Sequence, residues 1–532
     1  MQLSGLFALL LLAVGPVGAA APEAFPGLHR KWVYYQSPNF ELYGADGDRR
    51  SRDILEKLEL LRALVLDTFK LKVRLPRPVT IYAFDRDKDF NSYLPPDRRR
   101  GGVPWVGFCR SDPDRTVIII APASDREAAE QVVYHEYIHY LFRITEQSPA
   151  PWFNEGVAEL YSTMEENGKW LELGRPIPGR IEELRQGGLI PLGQLFAVTY
   201  QSPLFQNSDH TGKFYAESWA FLHYCSFGLN GIPPEKMNAF LQRAGLPQEK
   251  TTGASFESVC RELLGLDYEG MLARLNGYLS TGRFQGRRVP RPAIAAPSGY
   301  AARAPAAGEM ELRLAELSLR FAHEPYAQWF ILDRAQKQAD VRICELLGAM
   351  ALVEGESDVA RGHWTKALEL GSTNPAIYHE LGRLEANGVV NNFSLDSEMP
   401  PERADQLRAL LARAIACAPD QSMAYEQLAW VEAATARPNV ANVNLVQDHF
   451  RSLNNQSQTL LALTIVRWRL HDLAGVRELL DSLDQMNAND WVAYWAEIVR
   501  ARAENRPANR EKLDALRRRS FAPAQLRFPS LD

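Results

Sequence analysis

Two short segments of the sequence predict two helices whose polar side chains come together at one site. The first contains His135, Glu136 and His139. The second starts at Trp152 and contains Glu155. Residues four apart share one face of a helix, so His135 and His139 can offer ring nitrogens to one metal ion, with Glu136 beside them. A catalytic zinc site needs three protein ligands and one open position, and Glu155 on the second helix is the obvious third ligand.

The alternative is a pair of buried structural histidines beside a solvated glutamate. Residues 126–133 lack Pro and Gly and favour a helix, and Pro151 before Trp152 is typical of a helix start. Glu155 and Glu159 lie on an otherwise apolar helix, where carboxylates without partners would be unfavourable. The sequence therefore favours the metal centre.

These residues resemble the gluzincin metallopeptidases, and more narrowly the bacterial peptidase-MA-like proteins that carry tetratricopeptide repeats after the peptidase domain. The resemblance implies that His135, His139 and Glu155 bind one Zn²⁺ ion per chain. It implies that Glu136 is the general base of peptide hydrolysis. The fold that it implies is an α+β zincin-like domain followed by an all-α repeat solenoid.

The resemblance also implies supporting roles for residues near these four. An acidic residue one turn after the third ligand often supports a zinc histidine, and Glu159 has that position, while Asn154 is a candidate for similar work. Residues 214–221 are similar to the segment that supplies a tyrosine hydroxyl to the reacting carbonyl, which makes Tyr215 the candidate donor. A core aromatic is an equally good interpretation of Tyr215. Its competitors for the donor role are Tyr134, Tyr137, Tyr140 and His210.

The chain departs from the aminopeptidases of this family in one segment. They carry Gly-x-Met-Glu-Asn before the zinc helix, and its glutamate binds the free amino terminus of the substrate. The corresponding residues 101–110 contain no carboxylate, so an exopeptidase is not supported. The β-branched run 115–121 predicts a strand just before the zinc helix. An edge strand that binds an extended substrate and a core strand paired on both sides both fit this run.

The composition is that of an ordinary globular protein. With 532 residues the chain is long enough for about three domains, and its net charge of -5 gives no polyanion-binding surface. The short arginine clusters 98–100 and 517–519 lack an aromatic platform, so we expect no nucleic-acid partner. Five cysteines are too few and too scattered for a disulfide framework. One bond between Cys225 and Cys260 is the alternative to buried free thiols.

Residues 1–21 have the composition of a signal peptide. An apolar core at residues 6–14 is followed by the small residues 18–21, although no Lys or Arg precedes the core. No later stretch has the roughly 18 apolar residues that span a bilayer. We therefore expect an exported protein, periplasmic or extracellular, without a membrane span in the mature chain.

Local patterns predict an α+β peptidase domain over residues 25–285, of which the family resemblance covers 31–279. Strands are expected at 31–35, 40–43 and 79–84, and helices at 50–69, 212–227, 234–244 and 256–279. The Pro- and Ala-rich segment 286–308 predicts an interdomain linker with few contacts, so that the two halves are separable.

Residues 309–520 predict helical repeats of the tetratricopeptide type. Gly348 and Gly382 are 34 residues apart, which is the period of that repeat, and an insertion at 388–402 interrupts the second unit. The other repeat positions are Leu347, Ala360, Trp364, Ala367, Tyr378, Leu381, Leu411, Ala414, Pro419, Tyr425, Leu428 and Ala429. These positions are packing positions, so the sequence does not identify the partner of the repeats.

Two functions fit the sequence. The first is an exported zinc peptidase whose repeats recruit a protein substrate or partner. The second is a binding scaffold with a catalytically silent peptidase-like domain. The complete set of His135, Glu136, His139, Glu155 and Tyr215 favours the first, because a silent domain would be expected to lose its base or a ligand. Substrate, cleavage specificity and oligomeric state are not indicated.

Overall fold

The computed structural model describes most of residues 25–519. The residues left out within this range are 72–76, 97–104, 112–114, 123–125, 145–148, 201, 207, 229–231, 246–252, 323, 338–339, 392, 418, 420–421, 451–452, 454 and 487. The expected signal peptide and part of the segment 101–110 lie outside the described residues. Among the described helices, none has the length and apolarity that crossing a bilayer requires.

An α+β region comes first, built on two sheets. The strands are β1 (Val33–Gln36), β2 (Phe40–Gly44), β3 (Val79–Ala83), β4 (Gly107–Ser111), β5 (Thr116–Ile120), β6 (Glu165–Asn167), β7 (Trp170–Leu173), β8 (Arg287–Pro290) and β9 (Ala301–Arg303). The larger sheet has the order β4-β5-β3-β2-β1-β9, and the smaller one β6-β7-β8. The pairs β2–β3 and β3–β5 are parallel, and the other pairs are antiparallel.

Eleven helices of the described chain accompany these strands. They are α1 (Asp48–Phe69), α2 (Asp87–Ser92), α3 (Arg126–Ile144), α4 (Pro151–Ser162), α5 (Pro178–Gly187), α6 (Leu192–Ala197), α7 (Pro203–Gln206), α8 (Ser208–Phe227), α9 (Pro234–Gly245), α10 (Gly253–Leu264) and α11 (Tyr268–Thr281). The three expected strands and the long helix α1 are confirmed. The single helix expected at 256–279 is wrong, because the chain breaks into α10 and α11 at Gly265, whose φ of 69° suits glycine.

The run 115–121 forms an internal strand. β5 pairs with β3 on one side and with β4 on the other, so the interpretation of this run as a substrate-binding edge is wrong. β4, which the sequence analysis did not identify, is the edge of the described sheet next to α3. A Cβ atom at Gly107 would lie 3.1 Å from Cγ2 of Val133, so β4 lies directly against that helix.

The two faces of the larger sheet pack against different helices. Alternate residues of β5 point to opposite faces, as a strand requires. Ile118 and Ile120 join a core with α1, α3, α4 and α8. Val117 and Ile119 join a second core that includes Leu314, Phe321, Ile331, Ile343 and Leu346. The second face of the sheet is thus covered by the beginning of the helical region.

The segment 286–308 is not an unattached linker. Residues 287–290 form β8 against β7, and residues 301–303 form β9 against β1. The expectation that few contacts cross this segment is therefore wrong, and the separability of the two halves stays a prediction. Low apolar content hid these strands, because their side chains are largely exposed and their attachment comes from backbone hydrogen bonds.

The helical region consists of twelve further helices in the described chain. They are α12 (Glu309–Leu317), α13 (Pro325–Lys337), α14 (Val341–Val353), α15 (Ser357–Glu369), α16 (Pro375–Asn391), α17 (Pro401–Cys417), α18 (Ser422–Ala433), α19 (Val440–His449), α20 (Gln456–Arg469), α21 (Leu473–Gln485), α22 (Asp490–Ala503) and α23 (Arg510–Arg519). A short π-helical segment, Ser318–Ala322, follows α12 and leads to α13.

Small residues lie where consecutive helices cross. A Cβ atom at Gly348 of α14 would lie 2.3 Å from Nε1 of Trp364 on α15, so this crossing requires glycine. Ala360 and Ala367 are fully buried. The predicted insertion at 388–402 falls partly within α16, which runs to Asn391. All five cysteines are free, and Cys225 and Cys260 are buried thiols without a bond between them.

Candidate metal centre

Two adjacent helices carry the predicted ligands. α3 presents His135 and His139 on the side towards α4, and Glu136 follows His135 on the same helix, while Ile138 and Leu141 are buried in the first core. α4 begins with Pro151, whose fixed φ suits the first helical position. The α4 helix is buried along nearly its whole length, which holds it in place against α3 and α8.

The three predicted ligand atoms converge. Nε2 of His135 and Nε2 of His139 are 3.0 Å apart. Oε2 of Glu155 lies 3.4 Å from the first ring nitrogen and 3.2 Å from the second. The Glu155 side chain is only 3% exposed, whereas those of His135 and His139 are 14% and 21% exposed. The centre therefore has a buried floor and an accessible side.

The spacing fits ligand atoms around one tetrahedral ion. Bonds of about 2.0–2.1 Å to a four-coordinate ion place neighbouring ligand atoms roughly 3.3 Å apart. The distances of 3.0, 3.4 and 3.2 Å lie close to this value. Oε2 of Glu155 is buried and has no donor of good hydrogen-bond geometry among the described residues. The lone pairs of the two ring nitrogens and of this carboxylate oxygen point to one place, which suits a bound cation.

The Nδ1 atoms of both histidines face acceptors. Nδ1 of His139 donates to Oδ1 of Asn154 at 3.0 Å, and Nδ2 of Asn154 donates to the hydroxyl of Tyr200. Nδ1 of His135 lies 3.7 Å from Oε1 of Glu159. A proton held on Nδ1 leaves Nε2 with a free lone pair, so these neighbours favour the tautomer that a metal requires.

Arg180 is a member of the site that the sequence analysis missed. Its Nη2 donates to Oε1 of Glu159 at 2.5 Å, and its guanidinium carbon lies 5.5 Å from the ring centroid of Tyr215. Arg180 thus holds the Glu159 carboxylate towards His135 and covers the tyrosine ring. Arg180 lies on α5, and no sequence motif connects α5 with α3 and α4. The sequence therefore contains no pattern that would have identified Arg180.

The electrostatics of the ligands reflect their crowding. Burial lowers the pKa of His135, but contacts with Glu155 and the charges of Glu159 and Glu136 outweigh burial and raise it to about 9. Burial raises the pKa of Glu155, but the charge of His139 and the contacts with both imidazoles lower it to about 2. Carboxylates therefore give the site a strong preference for positive charge.

Glu136 differs from the ligand carboxylate in its surroundings. It is half-buried on α3, and it has no hydrogen bond or ion pair with the described residues. Its charge contributes to raising the pKa values of Cys109 on β4 and Tyr215 on α8. Glu136 thus lies near enough to Cys109 and to Tyr215 for its charge to act on both, and its carboxylate is available.

Tyr215 lies beside the metal ligands. Its ring centroid is 6.1 Å from that of His135. Burial raises its pKa, and the charges of Glu155, Glu136 and Glu159 raise it further, so the hydroxyl stays protonated. Among its competitors, Tyr137 is fully buried and its hydroxyl accepts from Arg62. Tyr134 and Tyr140 are also buried, and the side chain of His210 lies outside the described residues.

α8 also carries a buried carboxyl group, Glu217, two residues after Tyr215. Glu217 is fully buried, its Oε2 accepts from the backbone nitrogen of Ile190 at 2.5 Å, and its Oε1 has no hydrogen-bond partner in the described chain. Burial raises its pKa to about 8, and the Ile190 hydrogen bond and the Lys213 charge oppose this rise. α8 lies against α4, since a Cβ atom at Gly156 would be 2.6 Å from the carbonyl oxygen of Ser218.

Comparisons of the chain with models of protein families, with curated proteins and with solved structures gave no match in any of the three.

Proposed function

We propose that this protein is a zinc-dependent peptidase with a zincin-like, gluzincin-type catalytic domain. The observation that carries the proposal is the convergence of His135, His139 and Glu155, with their ligand atoms within 4.8 Å of one another. The donor set supports zinc, which prefers two imidazoles and a carboxylate in hydrolytic sites. Bound zinc would supply Lewis-acid chemistry, polarising an amide carbonyl and lowering the pKa of water.

Glu136 is the proposed general base. It accepts a proton from the water that attacks the carbonyl carbon, and it passes that proton to the amine nitrogen as the peptide bond breaks. The absence of any hydrogen bond or ion pair from the described residues to its carboxylate supports this role. A base already held by a cation would be weaker, because the cation would stabilise the ionised form.

Tyr215 is the proposed donor to the carbonyl oxygen, on which negative charge develops during attack. Its raised pKa supports a neutral hydroxyl at physiological pH. A fixed donor at such a position typically contributes a hundredfold or more in rate. Arg180 keeps the tyrosine ring in place through its contact with the ring face.

The substrate backbone is proposed to lie along β4. This strand is the edge of the described sheet, and it packs against α3, so its outer backbone groups can pair with an extended peptide. The segment 101–110 contains no carboxylate for a free amino terminus, which supports internal cleavage. The helical region is proposed to be of the tetratricopeptide type and to bind a protein substrate or partner. Export to the periplasm or the extracellular space is proposed from the composition of residues 1–21.

Metal analysis and hydrolysis of denatured casein by the purified full-length protein test this function. We expect one zinc ion per chain, and hydrolysis that stops with a chelator and returns with zinc. His139→Ala should lose both zinc and activity. Glu136→Gln should keep zinc and lose activity by a factor of about a hundred or more, because the glutamine cannot accept the proton.

Two results would contradict this proposal. Full zinc occupancy in His139→Ala would mean that the ion is bound elsewhere. Stoichiometric zinc without hydrolysis of casein or of a panel of blocked and unblocked peptides would favour the silent scaffold instead.

A further inference from the structure

A cavity of about 380 Å³ lies where the helical region meets the sheet. Leu346 and Met350 of α14, Trp364 of α15 and Ile377 of α16 form apolar walls. Arg110 reaches the cavity from β4. The volume is at the small end of ligand-binding pockets, and their usual lining of apolar groups with few polar ones is present here.

A buried carboxylate lines this cavity. Glu380 of α16 is 6% exposed, and its Oε2 accepts from Nε of Arg383 at 2.7 Å. None of the described residues donates to its other oxygen. A buried carboxylate retains several acceptor positions and is strongly favoured by a second donor, preferably a charged one. The cavity thus offers a cation-binding group at the end of an apolar space.

Two of the other charged groups that line the cavity, Glu316 and Arg110, have partners in the described chain. Glu316 is held by Arg342 at 2.8 and 2.9 Å, and Nη1 of Arg110 donates to the carbonyl oxygen of Arg320 at 2.5 Å. At the rim, Glu354 is exposed, and its single hydrogen bond to the described residues comes from Gln328 at 3.2 Å. Glu354 therefore adds negative charge where a ligand would enter.

The apolar surface continues beyond the cavity along α13. Pro325 and Gln328 line the cavity, and Trp329 and Leu332 follow four residues later on the same side of the helix. Trp329 is 61% exposed, and Val353 beside the mouth is 80% exposed. A large exposed apolar surface next to a cavity indicates an occupant larger than the cavity itself. A polypeptide segment meets that requirement.

We propose that this cavity is a second peptide-binding site, separate from the metal centre, which takes a large apolar side chain with a neighbouring Lys or Arg. The apolar side chain fills the space between α14 and α16. The cation binds the free oxygen of Glu380, and the flanking residues of the peptide cover Trp329. Through Arg110 the site adjoins β4, the strand on which the proposed substrate would lie, so a bound segment could hold a long substrate near the metal centre.

Binding can be measured without hydrolysis in the full-length protein carrying Glu136→Gln. Three labelled peptides of about ten residues are titrated by fluorescence anisotropy. The first contains Leu-Phe-Lys-Arg at its centre, the second has Glu in place of both basic residues, and the third has Ala in place of both apolar ones. We expect the first to bind at least about tenfold more tightly than either other peptide, because charge-assisted and apolar contacts each contribute that much.

Variants locate the binding. Glu380→Gln removes the charge and should weaken the first peptide about tenfold, and Ala376→Trp should abolish its binding by filling the cavity. Glu369→Gln is the matched control, because Glu369 is exposed, pairs with Lys366 and does not line the cavity. If Glu380→Gln does not fold, Glu354→Lys on the exposed rim should weaken the same peptide.

Unchanged affinity in Glu380→Gln and Ala376→Trp, or equal affinity for the acidic peptide, would overturn this proposal. The test does not depend on the proposed peptidase function. Metal content and casein hydrolysis decide that function, whereas peptide affinity decides the second site.

Discussion

Two buried polar clusters lie on opposite faces of the same sheet, and they differ in their balance of hydrogen-bond donors and acceptors. At the candidate metal centre, Nε2 of His135, Nε2 of His139 and Oε2 of Glu155 are all acceptors when each imidazole carries its proton on Nδ1. In the Glu316 cluster, formed by Glu316, Arg313 and Arg342, the carboxylate meets donors. Nε and Nη2 of Arg342 donate to its two oxygens at 2.8 and 2.9 Å, and Arg313 lies 3.4 Å away.

This difference separates the candidate metal centre from a structural ion-pair cluster. Burial of either carboxylate raises its pKa, and neighbouring groups lower that pKa in both cases. For Glu316 the neighbours are arginines, which are permanently charged and complete the cluster. For Glu155 they are imidazoles, which present lone pairs when neutral. Burial with a shifted pKa is thus shared by both clusters, and the balance of donors and acceptors distinguishes them.

The two clusters also explain why the α+β region and the helices form one unit. The face with the metal helices carries the proposed chemistry. The opposite face is closed by α12, α13 and α14, with Glu316 at the junction. The helical region therefore completes the core of the sheet in addition to any partner that it binds.

The largest effect is expected from removing the helices that cover the second face of the sheet. A protein ending at residue 285 should fail to fold or should aggregate, because Tyr82, Ile119 and their neighbours would lose their cover and β8 and β9 would be absent. Circular dichroism and gel filtration measure this outcome. A protein ending at residue 371 keeps α12 to α15 and should fold with its zinc. A folded, zinc-binding 285-residue protein would restore the interpretation of two separable halves.

Breaking the Glu316 cluster should be the next largest effect. Glu316→Gln leaves the Arg342 guanidinium partly uncompensated in a buried place, which should lower the free energy of unfolding by about 3–5 kcal/mol. Zinc content should not change. The control is Glu262→Gln in the exposed Arg243–Glu262 pair, which should change stability by less than about 1 kcal/mol. Equal effects of the two substitutions, measured by urea unfolding, would remove the distinction between buried and exposed pairs here.

Glu217 provides a test with a defined pH dependence. Its pKa is about 8 in the folded protein, whereas the ordinary pKa of a glutamate is 4.5, so the folded state binds more protons between these values. Stability from this group is present at low pH and is lost as pH rises towards 8. Glu217→Gln should therefore become more stable relative to the unmodified protein, by roughly 3–4 kcal/mol between about pH 5 and pH 8, at about 1.4 kcal/mol per pKa unit. Parallel urea-unfolding curves across this range would argue against a protonated Glu217.

The smallest effect is expected from the residue that orients His139. Asn154→Ala removes the acceptor of Nδ1–H and should weaken zinc binding roughly 10- to 100-fold while the fold is kept. Competition with a chromophoric chelator measures this change. Asn276→Ala, on the exposed side of α11, is the control and should have no effect on zinc affinity. A similar affinity in both variants would mean that Asn154 does not support the ligand.

The spacing of the motif explains how much of the candidate site could be predicted. Two histidines four residues apart lie on one helical face in any fold, so their convergence depends on local geometry alone. Glu155, Glu159 and Asn154 could be placed because they share one short helix whose return to α3 the motif requires. Arg180 could not, since it comes from α5, and only the packing of α5 against α8 brings it to Tyr215 and Glu159.

The same division holds for the fold. Alternating patterns and β-branched runs predicted β1, β2, β3 and β5, and the long helix α1, because periodicity is written locally into the chain. Nothing local decides which strand is the edge of a sheet. β5 is an internal strand because β4 pairs with its outer side. β9 pairs with β1 although the two strands are more than 250 residues apart in sequence.

The sequence by itself determined which residues are the candidate metal ligands, the main strands and helices, and the small residues at helix crossings such as Gly348. The tertiary structure alone decided that the second sheet face is closed by α12 to α14, that Glu316 is surrounded by arginines and that Glu380 lines a cavity. The physical reason is that periodicity depends on backbone geometry within one element. Edge pairing, buried charge compensation and cavities depend on contacts between residues far apart in the chain, which no local pattern encodes.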